Sequence, residues 1–174
     1  MVEAPNILVV EDDPIQSAKA IKKLKDLLPQ SRVSLVETEY DFRAQFPEII
    51  SNTPDFVAMD IILPWCSPSS DMPKYPEDVA IEGFFTAGLR LTRLIRSSHT
   101  MENTPVLLWS CIDMDDLKEV RYASDGLEGS YFLPKSSWNS VDFAEEVKTI
   151  LEGKTPKHAT YLSEFEVVPI SKKL

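Results

Sequence analysis

Five side chains in this sequence are of types that could do chemistry together: the carboxylates of Glu11, Asp12 and Asp60, the hydroxyl of Ser110 and the ammonium of Lys135. Asp60 follows an apolar run, Phe56 to Met59, and precedes Ile61, Ile62, Leu63 and a strand-stopping Pro64. An acid that a buried strand delivers to its C-terminal end can cap a turn. It can equally act in the crevice where open parallel α/β sheets gather their ligands. Glu11 and Asp12 close a second apolar run, NILVV, whereas Asp13 has the structural job of capping the next helix, with Pro14 suited to its first position. Adjacent carboxylates without such a job repel each other unless a cation or base lies between them, which argues for a divalent metal. Ser110 ends a third run, PVLLWS, and Lys135 follows a fourth, SYFLP. Hard oxygen ligands, a nucleophilic carboxylate, a hydroxyl and an ammonium together suit an anionic phosphoryl group.

Those groups need a scaffold, and the chain alternates strands with helices. Residues 6–10, 32–38, the stretch around Phe56–Met59, 105–110 and SYFLP read as five strands, of which the first, third and fourth are continuous enough in apolar residues to be buried in a parallel sheet. Ile15, Ala18, Ile21, Leu24 and Leu28 recur at helical spacing until Pro29. A second helix is predicted from Tyr40 to about Ser51, interrupted or kinked near Pro47. GLRLTRLIRSS predicts a helix with Leu91, Leu94 and Ile95 inward and Arg90, Arg93 and Arg96 on a solvated face. A more polar helix covers 114 to about 125. A last one runs from Ser137 and Trp138 through Val141, Phe143 or Ala144 and Val147 to Leu151, stopping by Gly153. Between Pro64 and the arginine-bearing helix lies a long, proline-stiffened loop, about 65–87, whose aromatics Trp65, Tyr75, Phe84 and Phe85 favour order. Four of the five strands, all but 32–38, thus aim a functional group at the same edge of one sheet.

A length of 174 residues allows one domain with an appendage. The net charge of -10 opposes binding to nucleic acid or to anionic membranes. Two cysteines, Cys66 and Cys111, have no paired spacing, so neither a disulfide framework nor a zinc site is expected and the compartment reads as cytoplasmic. No stretch reaches the length of a membrane span.

ILVVEDD, VAMDIILP, PVLLWS and FLPK, in this order and spacing, resemble the signature segments of the receiver domain of two-component response regulators over residues 6 to about 151. The resemblance implies an α/β fold: a five-stranded parallel sheet of flavodoxin-like order 2-1-3-4-5, helices on both faces. The domain would span 1–152, with an inserted loop at about 65–87 and a tail, 153–174, without an output domain. It also implies that Asp60 accepts a phosphoryl group from a sensor histidine kinase or phosphotransfer protein. Mg²⁺ would be held by Asp12, by Glu11 mainly through water, by Asp60 and by the backbone carbonyl of Ile62. Lys135 would pair with phosphoryl oxygens, Ser110 would bond the phosphoryl group on switching, and Phe132 would follow with its rotamer. Output would pass through protein contacts, with a homodimer as one form, and no nucleic acid or membrane is expected as a partner.

Three departures from the family pattern stand out: Ser136 replaces the proline usual after the lysine, the loop after Pro64 is about 20 residues longer than usual, and no output domain is expected after the last helix. A receiver-like interaction module that no longer cycles phosphate is the rival reading. A phosphohydrolase of the haloacid dehalogenase type would want an acid two residues after Asp60, where Ile62 stands. The resemblance further places Ile62 and Ile112 beside the path of hydrolytic water. Both are apolar, so slow self-dephosphorylation is expected. Trp109 and Cys111 read as packing residues, and His99 and His158 have no partner motif.

Overall fold

The computed structural model describes residues 4–68, 71–120, 126–136 and 142–162. In chain order the elements are β1 (Asn6–Val10), α1 (Pro14–Leu27), β2 (Arg32–Val36), α2 (Glu39–Ser51), β3 (Phe56–Met59), α3 (Glu77–Glu82), α4 (Ala87–Ser97), β4 (Val106–Ser110), α5 (Met114–Glu119), β5 (Ser130–Pro134), α6 (Phe143–Leu151) and β6 (Thr160–Leu162). The strands lie side by side as β2-β1-β3-β4-β5-β6. The first five are parallel, in the order expected, and β6 pairs antiparallel with β5.

The sheet has six strands, not five, and the extra one comes from the segment read as tail. The reason is local. Gly153, at φ 68, adopts a left-handed conformation that ends α6 without a Cβ clash. The buried carboxylate of Glu146 then accepts the amides of His158 and Ala159, turning the chain back along β5, where Tyr161 packs on Tyr131 at 5.1 Å. Three residues, Thr160 to Leu162, are too few to show a strand period in the sequence.

Alternation along the strands splits the core into two layers. Ile7, Val9, Leu107, Trp109 and Leu133 meet α1 and α6 on one face. Leu8, Val10, Val57, Met59, Leu108 and Phe132 meet α2, α4 and α5 on the other. Each such side chain, once fully buried, contributes about 1.5–3 kcal/mol. Phe132 is thus a core residue in this structure.

Several boundaries differ from those read in the sequence. α2 runs through Pro47 without ending, capped by Thr38 and anchored by buried Phe42. Ser137, Trp138 and Val141, expected to open the last helix, lie outside the described residues, as do 121–125 of the helix expected over 114–125. The segment after Pro64 is partly helical, with α3 and a 3-10 turn at Phe84–Thr86. Its aromatics and Tyr40 of α2 pack edge to face in a row: Tyr40 on Trp65, Trp65 on Tyr75 and Tyr75 on Phe84, at 5.5, 6.1 and 5.5 Å between ring centres. The Trp65 indole also donates to the Pro73 carbonyl.

The arginines of α4 do not form a solvated face. Arg90 is 4% exposed, and its guanidinium donates to both carboxylate oxygens of Glu39, at 3.0 and 2.6 Å, and to the Gly83 carbonyl and Thr86 hydroxyl. Arg93 pairs with Glu82, and Arg96 donates to the carbonyls of Glu102, Thr104, Glu128 and Gly129. α2 supplies Glu39 and the inserted segment Glu82 to these arginines, a tertiary effect that periodicity along one helix does not record.

Candidate functional site

Each functional side chain is set by a strand that stops just before it. β1 ends at Val10, and the Glu11 amide still bonds the Val36 carbonyl of β2. Asp13 then accepts the amides of Ile15 and Gln16 and opens α1, which leaves Glu11 and Asp12 in the turn between strand and helix. Such a cap contributes on the order of 1 kcal/mol. The Asp60 amide bonds the Val10 carbonyl, holding the two turns side by side. Gly88, at the start of α4, bonds the Ile61 carbonyl with its amide, and a Cβ there would lie 2.0 Å from the Asp60 carbonyl oxygen. Only glycine allows α4 to approach that closely.

The five side chains singled out in the sequence converge. Asp60 is buried, and one of its carboxylate oxygens accepts the Ser110 hydroxyl at 2.7 Å and the Ile62 amide at 3.2 Å. The other accepts the Lys135 ammonium at 2.5 Å, and Lys135 also donates to Glu11 at 2.6 Å. Carboxylate oxygens of Glu11, Asp12 and Asp60 lie within 4.8 Å of one another. Burial pushes the Glu11 carboxyl up to about 7, against the pull of Lys135. Desolvation likewise raises Asp12, with Asp60 adding to it. Burial works against the Lys135 charge, yet Asp60 and Glu11 outweigh it and hold the ammonium above its ordinary value. Three hard oxygen donors facing one ammonium leave a surplus of negative charge, which is the donor set a divalent cation fits.

On the rim beside Asp12, the inserted segment walls a hollow of about 420 Å³ lined by Ile62, Trp65, Met72, Tyr75 and Phe84 among others. The segment therefore stands at the rim of the acidic cluster. Ile112 is half-buried against the core layer of α2, α4 and α5. Cys111, read as packing, is exposed at the chain's turn away from the sheet.

No family model matches this chain, and no curated protein does. Solved structures do. A signal receiver domain of a histidine kinase from Syntrophus aciditrophicus is 22% identical, with a TM-score of 0.58, over 86% of this chain and 92% of that one. The receiver domain of sensor histidine kinase PA1611 from Pseudomonas aeruginosa PAO1, solved with a magnesium ion coordinated in its active site cleft, is 19% identical at a TM-score of 0.56, over 86% and 96%. The phosphorylated cyanobacterial phytochrome response regulator RcpA is 18% identical at 0.53, over 86% and 89%. The chain has the receiver-domain fold. In that fold the convergent side chains occupy the C-terminal edge of the parallel sheet, where open α/β sheets carry their ligands. The inserted segment and β6 are built onto this frame. Among the described residues, no helix is long and apolar enough to cross a membrane.

Sequence reasoning missed the ring beneath Lys135. Trp109, taken as packing alone, has its indole 4.7 Å from the Lys135 Nζ. The signal was present as a tryptophan immediately before Ser110, but only strand alternation combined with the position of Lys135 gives it meaning.

Proposed function

We propose that this protein is a phosphoacceptor switch of a two-component phosphorelay. The observation that carries the reading is the Asp60 carboxylate: buried, held by Ser110 and Lys135, and flanked by two further acids. A carboxylate oxygen of Asp60 attacks the phosphorus of a phosphohistidine on a histidine kinase or phosphotransfer protein. The P–N bond breaks, its electron pair stays with the imidazole, which takes up a proton, and an acyl phosphate forms on Asp60. Positioning and charge neutralisation are most of what such a transfer requires.

Glu11, Asp12 and Asp60, with the backbone carbonyl of Ile62, would hold Mg²⁺, which when bound neutralises phosphoryl charge. The magnesium-bound Pseudomonas receiver supports this ion, as does the hard-oxygen donor set. Lys135 stays on the phosphoryl oxygens. Ser110 exchanges its bond to Asp60 for one to the phosphoryl group, and Phe132, packed two residues along β5 from the site's edge, follows as the switch. Ile62 lines the apolar hollow beside Asp12 and offers water no hydrogen bond, which supports a slow loss of the acyl phosphate. Signalling then proceeds by protein contacts in the cytoplasm.

The test is incubation with acetyl phosphate and Mg²⁺ followed by intact mass. Uptake of one phosphoryl group by wild type, and none by Asp60→Asn, is the expected result. No uptake by the folded, Mg²⁺-loaded wild type would leave an interaction module that does not cycle phosphate.

A further inference from the structure

Lys135 is held on three sides. Besides Glu11 and Asp60, its Nζ faces the ring of Trp109 at 4.7 Å from the centroid. Trp109 is the penultimate residue of β4, so the alternation that turns Ser110 toward Asp60 turns the indole into the layer shared with α1 and α6. There it is 1% exposed. Phe143, the first residue of α6, packs against it at 4.6 Å between ring centres with 33° between planes. The indole cannot leave Lys135 without displacing the first turn of α6.

We infer that Trp109 is a positioning residue for Lys135, its indole face, braced by Phe143, fixing the ammonium over the mouth of the site independently of the carboxylates. A lysine has a long flexible stem, and its other two holders are groups whose charge changes with what the site binds. Asp60 loses its charge on forming an acyl phosphate, and Glu11 is among the oxygen donors of the acidic cluster. The indole is neutral and unreactive throughout. An ammonium on an indole face, its side chain only 7% exposed, is biased toward that position by about tenfold. The consequence for phosphoryl uptake rests on the function proposed above; the contact itself does not.

Three measurements on the full chain separate the two. In a Trp65→Phe, Trp138→Phe background Trp109 is the single indole, and adding Lys135→Met should change its emission intensity; an unchanged spectrum overturns the contact. In a denaturation double-mutant cycle, Trp109→Phe, which keeps the packing and a weaker π face, and Trp109→Leu, which keeps bulk alone, are each combined with Lys135→Met. Coupling to Lys135 should be largest for Trp109→Leu, about tenfold in the unfolding constant. Additive losses would make Trp109 core packing and overturn the inference. Labelling by acetyl phosphate should slow in the same order, by about tenfold for Trp109→Leu and less for Trp109→Phe; equal slowing in both also overturns it. Should wild type take up no label, the phosphoacceptor reading fails while the emission and the cycle still decide Trp109.

Discussion

Two ion networks are buried in this molecule, and they are built on different terms. Beneath the inserted segment, the carboxylates of Glu39, Asp78 and Glu82 meet the guanidiniums of Arg43, Arg90 and Arg93, three against three. At the sheet edge, among the described residues, Glu11 and Asp60 share the ammonium of Lys135, and Asp12 adds a third carboxylate beside them. The first network is electrically balanced and closed by Arg90, whose planar fork takes both oxygens of Glu39. It fixes the segment on α2 and α4 and has no charge left for a ligand. The second keeps uncompensated negative charge in a desolvated place, which costs stability and is useful only when a cation arrives. Its basic member is a lysine, a point charge that can pass from carboxylate to phosphoryl oxygen. Burial of charge alone therefore does not mark a site; imbalance of charge does.

The largest effect that separates the networks is expected at Asp60. Asp60→Asn keeps size and the Ser110 bond, removes the nucleophilic charge and should abolish phosphoryl uptake with the fold intact by circular dichroism. Retained labelling would remove the site from the comparison. Next is Glu39→Gln, which leaves the buried Arg90 with only the more distant Glu82, at 3.6 Å, as counter-charge and should lower unfolding free energy by about 3 kcal/mol in urea titration. A cost under about 1 kcal/mol would mean that the balanced network does not hold the fold.

The pH dependence of stability comes third. Glu11 has a folded pKa of about 7 against an ordinary 4.5, so between those values the folded state holds more protons than the unfolded one. Stability of the metal-free protein should fall as pH rises through that window, by about 3 kcal/mol at most, and Glu11→Gln should flatten the slope. A metal-free stability that rises across the window would contradict the sign. Asp12→Asn, at the exposed member of the cluster, should raise the metal-free melting temperature modestly and weaken Mg²⁺ in calorimetric titration. Equal melting and equal affinity in both proteins would show that Asp12 feels no surplus charge.

Much of the unbalanced site was legible in the sequence. Each of its acids, its hydroxyl and its lysine follows an apolar strand, so local pattern and chemistry coincide. The balanced network was not legible. Glu39 opens one helix, Arg90 lies 51 residues on in another, and the arginine stripe of α4 has the spacing of a solvated face. Gly88 likewise sits inside a helical pattern, and only the packed structure shows that its missing Cβ lets α4 touch the backbone of Asp60. β6 was hidden because its turn depends on Glu146, a carboxylate on α6 that no strand pattern includes. What sequence conceals here is contact between distant elements.

The smallest effect is expected where the balanced network reaches solvent. Arg43 holds Asp78 of the inserted segment on one side and Glu39 on the other, but the Asp78 side chain is 43% exposed. Water and salt screen such a pair, so its loss should cost well under 1 kcal/mol, although, against the desolvation that raises it, the hydrogen bond and charge of Arg43 hold the Asp78 carboxyl below its ordinary value. Asp78→Asn should therefore leave the urea midpoint nearly unchanged and phosphoryl uptake from acetyl phosphate as in wild type, because Arg90 still grips Glu39, Gly83 and Thr86 from beneath. The comparison with Glu39→Gln is the sharper half of the experiment: one network, two acids, opposite degrees of burial. If Asp78→Asn destabilised the protein as much as Glu39→Gln, the segment would be held by its rim, and the weight assigned to the buried Glu39–Arg90 pair would have to move outward to Arg43.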